Sequence, residues 1–246
     1  MFQLDKEKIS ELNKGEKMKT EIIVVLDRSG SMHLCESDVV GGFNAFIEEQ
    51  KNGEGDAFIT LAQFDNKYEI VYEQVPVDKV DKLNFQPRGG TALLDAVGRT
   101  IIASKSRLNK DRSGIDSVIF VVITDGEENS SIEFKKSQIA EMTMECENEC
   151  GWKFVYLGAN QDAFAEAGSM GFCSSGTMAY DSSKGTRSMF DSLSRGTSSY
   201  RSKSKKRSDE GGFTAGVMCD LNKEDFFDND DREEQEKFGV NWKIDK

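Results

Sequence analysis

Two short, almost uninterrupted apolar runs, Glu21–Asp27 (EIIVVLD) and Asp116–Thr124 (DSVIFVVIT), constrain this chain's fold more than any other feature. A strand with one face in water alternates apolar and polar residues, whereas a strand rich in Val and Ile throughout must be covered on both faces. Such strands belong in a parallel sheet with helices above and below. The helices are legible too. Val39, Val40, Phe43, Phe46 and Ile47 recur at helical spacing after the first run, with Ser37 or Asp38 available to cap the start and Gly53 to stop it. Leu93, Leu94, Val97, Ile101 and Ile102 mark a second amphipathic helix over Thr91–Ser104, and further helices are expected near Phe134–Glu149, Gln161–Ala167 and Lys184–Tyr200.

Ala57–Phe64 and Tyr68–Gln74 read as strands joined by Asp65-Asn66-Lys67, a link so short that the pair is an antiparallel hairpin and one member an edge strand. Trp152–Leu157 is a further strand and Thr177–Tyr180 a short last one. Strands alternating with helices predict an α/β fold: a three-layer, doubly wound, Rossmann-like sheet, mostly parallel, with one antiparallel hairpin.

A domain of this kind needs only part of 246 residues. The apolar pattern begins after Met18, so residues 1–18 read as an extension, with Met18 a candidate natural start, and residues 19–201 as the domain. From Ser202 the composition changes. Arg201–Arg207 holds five bases in seven residues, and residues 208–246 carry twelve acids against five bases. Blocks of like charge predict a mobile, solvated tail over 202–246, with Phe226, Phe227, Phe238 and Trp242 arguing for partial docking.

The net charge of −12 disfavours nucleic acid and anionic membrane surfaces as partners, and the acids after Arg207 oppose any phosphate contact by the basic run. No apolar run approaches the ~20 residues that span a bilayer, and the first residues lack the apolar core of a signal peptide. Five scattered cysteines fit reduced thiols, and together these features predict a cytoplasmic protein. Cys146 and Cys150 lie four apart on a predicted helix, a spacing that serves metal binding or, more simply, packing.

The chemistry is concentrated in LDRSGSM, Leu26–Met32, which sets a carboxylate and two hydroxyls at alternating positions just beyond a buried strand. Ligands of open α/β sheets bind at that edge, and Gly30 lets the backbone aim Asp27, Ser29 and Ser31 at one point. Oxygen donors of this kind suit Mg²⁺ or Mn²⁺. Alone, the motif is equally a strand end followed by turn hydrogen bonds. Two later segments bear on the choice: Gly89-Gly90-Thr91 opens a helix and Thr124-Asp125-Gly126 ends a second buried strand, so both belong to the same sheet edge.

In that order and at those separations, LDRSGSM, GGTALLDAV and ITDGEEN resemble the three parts of the metal-ion-dependent adhesion site of von Willebrand factor A domains. The resemblance covers roughly Lys19–Arg201 and has no counterpart for the segment beyond. It implies one Mg²⁺ or Mn²⁺ held by the hydroxyls of Ser29, Ser31 and Thr91, with Asp27 and Asp125 coordinating directly or through water. It also implies a protein partner whose Asp or Glu carboxylate completes the coordination, and hence a nonenzymatic, metal-dependent interaction module.

Two other readings stay open. A metal-dependent phosphatase or phosphotransferase would use Asp27 as nucleophile, but the second Asp expected two residues on is Ser29. A scaffold with an idle metal site would bind through other surfaces. The absence of an evident base next to the hydroxyls, with a single histidine in the chain, disfavours a Ser-His-Asp hydrolase, and no phosphate-cradling GxxxxGK[ST] loop is present. His33 reads as a rim residue, Glu127 and Glu128 as an acidic rim or a solvated turn, and Asp225 or Asp228 as a tail carboxylate able to fold back onto the metal site of its own or a neighbouring molecule.

Overall fold

The computed structural model describes residues 17–111, 114–159, 163–211 and 215–237. The first apolar run forms β1 (Lys19–Asp27), buried along all but its first residue. The chain then winds into a 3₁₀ turn, Gly30–Cys35, pinned by the buried side chains of Met32 and Cys35, and continues as α1 (Glu36–Lys51). The helix thus starts ahead of the Ser37 or Asp38 cap. The hairpin follows as β2 (Asp56–Phe64) and β3 (Tyr68–Pro76), then α2 (Leu93–Asp111). The second apolar run is β4 (Ser117–Thr124), every residue buried. After it come α3 (Lys136–Glu149), β5 (Lys153–Gly158), α4 (Ala163–Ser169), β6 (Thr177–Ala179) and α5 (Thr186–Gly211). Two short helices, α6 (Ala215–Asn222) and α7 (Asn229–Lys237), complete the described chain. The N-terminal extension up to residue 16, the start of the helix expected at Gln161, and Phe238 and Trp242 lie outside the described residues.

The six strands run in the order β3-β2-β1-β4-β5-β6. All neighbours are parallel except β2 and β3, so the hairpin supplies the antiparallel edge strand. Alternate residues of β1 serve the two layers. Ile22, Val24 and Leu26 pack with Val39, Phe43 and Phe46 of α1 and with Phe190 and Leu193 of α5. Ile23 and Val25 pack with Val97 and Ile101 of α2 and Ile139 of α3. Each strand buried on both faces therefore has the two helical layers that its composition demands. Strand order reverses at β1, and Leu26 lies opposite Ile123 of β4, so the two strands end level with each other at the point where such sheets bind ligands.

The segment after Arg201 differs from the solvated tail expected of it. Helix α5 runs unbroken through the basic run, and Arg201 is only 2% exposed. Its guanidinium donates to the carbonyl (3.1 Å) and side-chain oxygen (2.9 Å) of Gln50 and to the carbonyl of Glu54 (2.7 Å), closing the carboxyl end of α1. Met218, Leu221, Phe226 and Phe227 join the core layer of α1 and α5. The charge blocks pair with each other instead of repelling. Lys203 and Arg207 both meet Glu224, Arg195 meets Asp228, and buried Arg232 meets Asp225. A block of bases followed by a block of acids reads as two solvated segments only if the chain does not fold back, and here it does.

The folded-back segment sits at the sheet edge opposite the ends of β1 and β4. The Phe226 N–H donates to the Ser175 carbonyl, and the Lys153 ammonium, at the start of β5, donates to the Asn222 carbonyl at 2.6 Å. Asp225 and Asp228, held there by arginines, do not reach the candidate site of their own molecule, which corrects that expectation.

Candidate metal centre

Asp27, the last residue of β1, is 0% exposed. One carboxylate oxygen accepts the Ser29 N–H at 2.7 Å, which turns the chain sharply after the strand, and the other accepts the Thr124 hydroxyl at 2.6 Å across the β1–β4 boundary. The turn brings the Ser29 and Ser31 hydroxyl oxygens to 3.0 Å from each other, and Ser31 donates to Asp125 at 2.6 Å. Thr91 arrives from the loop before α2. A methyl group placed on Gly126 would lie 2.8 Å from the Thr91 hydroxyl oxygen and 3.4 and 3.5 Å from those of Ser31 and Ser29. Three hydroxyls thus converge on one small space that only a glycine at 126 leaves open.

Three loops meet here, and their backbones are tied together. Gly30 N–H donates to the Gly89 carbonyl (3.1 Å), Arg88 N–H to the Arg28 carbonyl (2.7 Å) and Asn129 N–H to the Thr91 carbonyl (3.1 Å). Gly89 has φ +70°, a left-handed conformation that glycine adopts without penalty. Beneath them the buried Arg28 guanidinium donates to Asp65 at 3.0 Å and to Glu69 at 2.8 Å, and Arg88 reaches the same Asp65 oxygen at 2.8 Å. Asp65 lies in the hairpin turn, so this cluster fixes the Asp27–Ser31 loop to the β2–β3 edge. Burial raises the Asp65 carboxyl, but hydrogen bonds from Arg88 and Lys67 and the charge of Arg28 bring it below its ordinary value.

The opposite holds for the two candidate carboxylate ligands. Burial pushes the Asp27 carboxyl up to about 6 despite its hydrogen bonds from Thr124 and Ser29, and burial also raises Asp125. Neither carboxyl is paired with a lysine or arginine among the described residues. A buried carboxyl beside a half-buried one, neither with a counter-charge, is costly, and a cation placed between them would relieve that cost.

The donor set is of the oxygen type that suits Mg²⁺ or Mn²⁺. Oxygens around an octahedral Mg²⁺ at ~2.0–2.1 Å stand ~2.9 Å from their neighbours, and the Ser29–Ser31 separation is 3.0 Å. Among the described residues no group of three or more His, Cys, Asp or Glu is placed to hold a metal. The candidate donors are instead two carboxylates and three hydroxyls. Cys146 is buried among core side chains on α3, which is the packing alternative for the Cys146–Cys150 spacing.

All five residues singled out in the sequence, Asp27, Ser29, Ser31, Thr91 and Asp125, meet at this one point. His33 is exposed and its ring nitrogen lies 3.6 Å from Glu36. Glu127 is exposed, whereas Glu128 turns inward and accepts the N–H groups of Leu94, Ser130 and Ser131, so the pair forms no continuous acidic rim. Sequence reasoning quoted Thr124, Gly126 and Asp95 only as members of the three motifs and gave them no role of their own. Asp95 accepts the backbone N–H groups of Ile132, Glu133 and Phe134 and so holds the loop after Asp125 against α2. Its one signal was an acid at a buried position in the first turn of a helix.

An open α/β sheet with polar loops at its switch point defines a broad class of ligand-binding folds. The solved structures narrow it to one. No family model matches the sequence, and neither does any curated protein. Similar folds include von Willebrand factor type A from Catenulispora acidiphila, 14% identical over 72% of this chain and 42% of that one, with a TM-score of 0.51. The vWF domain of the type V pili tip protein Mfa5 from Porphyromonas gingivalis is 9% identical over 72% of this chain and 94% of its own, with a TM-score of 0.52. Proximal thread matrix protein 1 from the mussel byssus is 13% identical, with a TM-score of 0.51, over 72% of this chain and 45% of that one. The chain thus spans less than half the length of the mussel and Catenulispora proteins. It has the von Willebrand factor A fold.

Proposed function

We propose that this chain is a nonenzymatic protein-interaction module whose contact with its partner depends on a divalent cation. Ser29, Ser31 and Thr91 would hold Mg²⁺ or Mn²⁺ through their hydroxyls, with Asp27 and Asp125 as the charged members of the set. The bound ion would supply an electron-poor centre for the carboxylate of an Asp or Glu on a protein partner. The convergence of three hydroxyls on the space beside Gly126, with two carboxylates behind them and no basic side chain paired to either, carries this reading.

Asp27 as a phosphoryl-accepting nucleophile is a poorer account. It is fully buried, and both its oxygens are engaged by Ser29 and Thr124, so neither is presented to an incoming phosphorus centre.

Calorimetric titration with Mg²⁺ and Mn²⁺ tests the reading. One ion per chain is expected for the wild type and none for Ser29→Ala/Ser31→Ala. Equal binding by both proteins refutes the ligand set. Partner capture that survives EDTA supports the scaffold with an idle site instead.

A further inference from the structure

A second concavity opens directly beside the candidate metal centre, at the ends of β4 and β5. It encloses about 140 Å³ and shares Thr124 and Gly126 with the site. That is room for roughly four or five waters and well below the ~300 Å³ at which small-molecule pockets begin. The space is the size of one side chain.

Its lining has a definite chemistry. Leu93, Ala159, Ala165 and the ring of buried Tyr156 make apolar walls, and three carboxylates, Glu127, Glu128 and Glu166, stand around them. Two of the three are occupied. Glu128 accepts backbone N–H groups and the Ser131 hydroxyl, and Glu166 takes the Lys136 ammonium at 2.7 Å. Glu127 is exposed and has no hydrogen bond or ion pair among the described residues. Three acids against one lysine leave the cavity negative. Long basic side chains suit such a space, because their methylene stems lie along apolar walls while the charged head meets a carboxylate at the opening.

We propose that this cavity is a specificity subsite for a lysine or arginine of the partner, close in sequence to the acid that reaches the metal centre. The inference rests on the metal-dependent reading above and deepens it. Gly126 borders both spaces, and an extended chain advances only ~3.3 Å per residue, so a basic residue within two positions of the acid falls over the cavity. The partner would present a short segment of mixed charge, not merely an acidic patch.

The full chain, loaded with Mg²⁺, is panned against a random heptapeptide display library with elution by EDTA, and its Mg²⁺ affinity is measured in parallel by calorimetry. The expected outcome is enrichment of Asp or Glu with Lys or Arg within two positions. A synthetic peptide of the enriched sequence should then bind at least tenfold more weakly to Glu127→Gln and to Ala165→Phe, which sets a large ring at the cavity's mouth, while Ala165→Phe keeps wild-type Mg²⁺ affinity. Acidic peptides enriched without a basic preference, or affinities unmoved by both variants, overturn the subsite and leave the metal reading standing. Mg²⁺ binding with no EDTA-eluted peptide also overturns it. No Mg²⁺ binding and no EDTA-sensitive peptide overturn the metal reading itself, and the subsite with it.

Discussion

Arg201→Met tests whether the helix through the basic run belongs to the fold. The methionine keeps most of the apolar stem and removes the guanidinium, which is 2% exposed and makes three short bonds, of 3.1, 2.9 and 2.7 Å, to Gln50 and Glu54. Hydrogen bonds from a charged donor contribute ~1.5–3 kcal/mol each, a gross loss of roughly 5–9 kcal/mol. Part of it is returned, because burial lowers the Arg201 pKa, which is the sign of a charge that folding must desolvate. A net loss of ~2–4 kcal/mol remains, and at ~2–4 °C per kcal/mol for a domain of this size the melting temperature should fall by roughly 4–16 °C. Differential scanning calorimetry measures it, with Lys205→Met as a control. Lys205 lies in the same basic run, but its side chain is 43% exposed and its contact with Glu54 is 4.0 Å, so its removal should leave the melting temperature within a degree. A melting temperature equally unmoved in Arg201→Met would refute the reasoning and return the segment to the status of a solvated tail.

Other perturbations separate the site from the scaffold. Gly126→Ala places a methyl 2.8 Å from the Thr91 hydroxyl oxygen, so Mg²⁺ affinity by calorimetry should fall at least tenfold while the circular dichroism spectrum is unchanged; wild-type affinity would show that the ion is not held there. Arg28→Met frees the Asp27–Ser31 loop from Asp65 and Glu69 and should cost ~2–3 kcal/mol in denaturant unfolding, less than a fully broken buried pair because Arg88 still serves Asp65; Mg²⁺ affinity should drop too. Arg107→Met, which strips the buried Glu21 carboxylate of its partner at the far end of the sheet, should cost at least as much stability with no change in Mg²⁺ affinity, and a parallel loss in both variants would deny Arg28 a positioning role. Lys153, whose burial pulls its ammonium down to about 8, gives a pH dependence of definite sign. Below pH 8 both folded and unfolded chains hold the proton and the cost of burying the charge is complete; between pH 8 and ~10.4 the unfolded chain alone retains it. Wild-type stability relative to Lys153→Met should therefore rise by ~2 kcal/mol from pH 7.5 to 9.5, and a flat or falling difference would contradict the assigned cause.

The alternation of apolar runs made the layers, the hairpin and the sheet edge of the site readable from the sequence, because burial on both faces leaves a local trace at every residue of β1 and β4. Asp27, Ser29 and Ser31 stood out as oxygen donors just beyond a buried strand, but their grouping with Thr91 and Asp125 as candidate ligands came from the resemblance of three motifs to the von Willebrand factor A site. The long-range roles of Arg28, Asp95 and Thr124 left no such trace. Their partners are Asp65 at 37 residues away, Ile132–Phe134 at 37–39 and Asp27 at 97, and no window of sequence contains both ends of those contacts.

Local periodicity by itself determined that this chain must bury a mostly parallel sheet between two helical layers, and which polar residues stand at the ends of its central strands. Tertiary structure alone decided that Gly126 leaves room among three hydroxyls, that a side-chain-sized cavity adjoins them, and that the charged C-terminal segment folds onto α5 and not onto the candidate metal centre. The difference is physical. Apolar burial acts residue by residue and prints itself on the sequence, whereas charge pairing and the shape of a cavity depend on which distant segments meet, and a block of bases followed by a block of acids reads the same whether the two face water or each other.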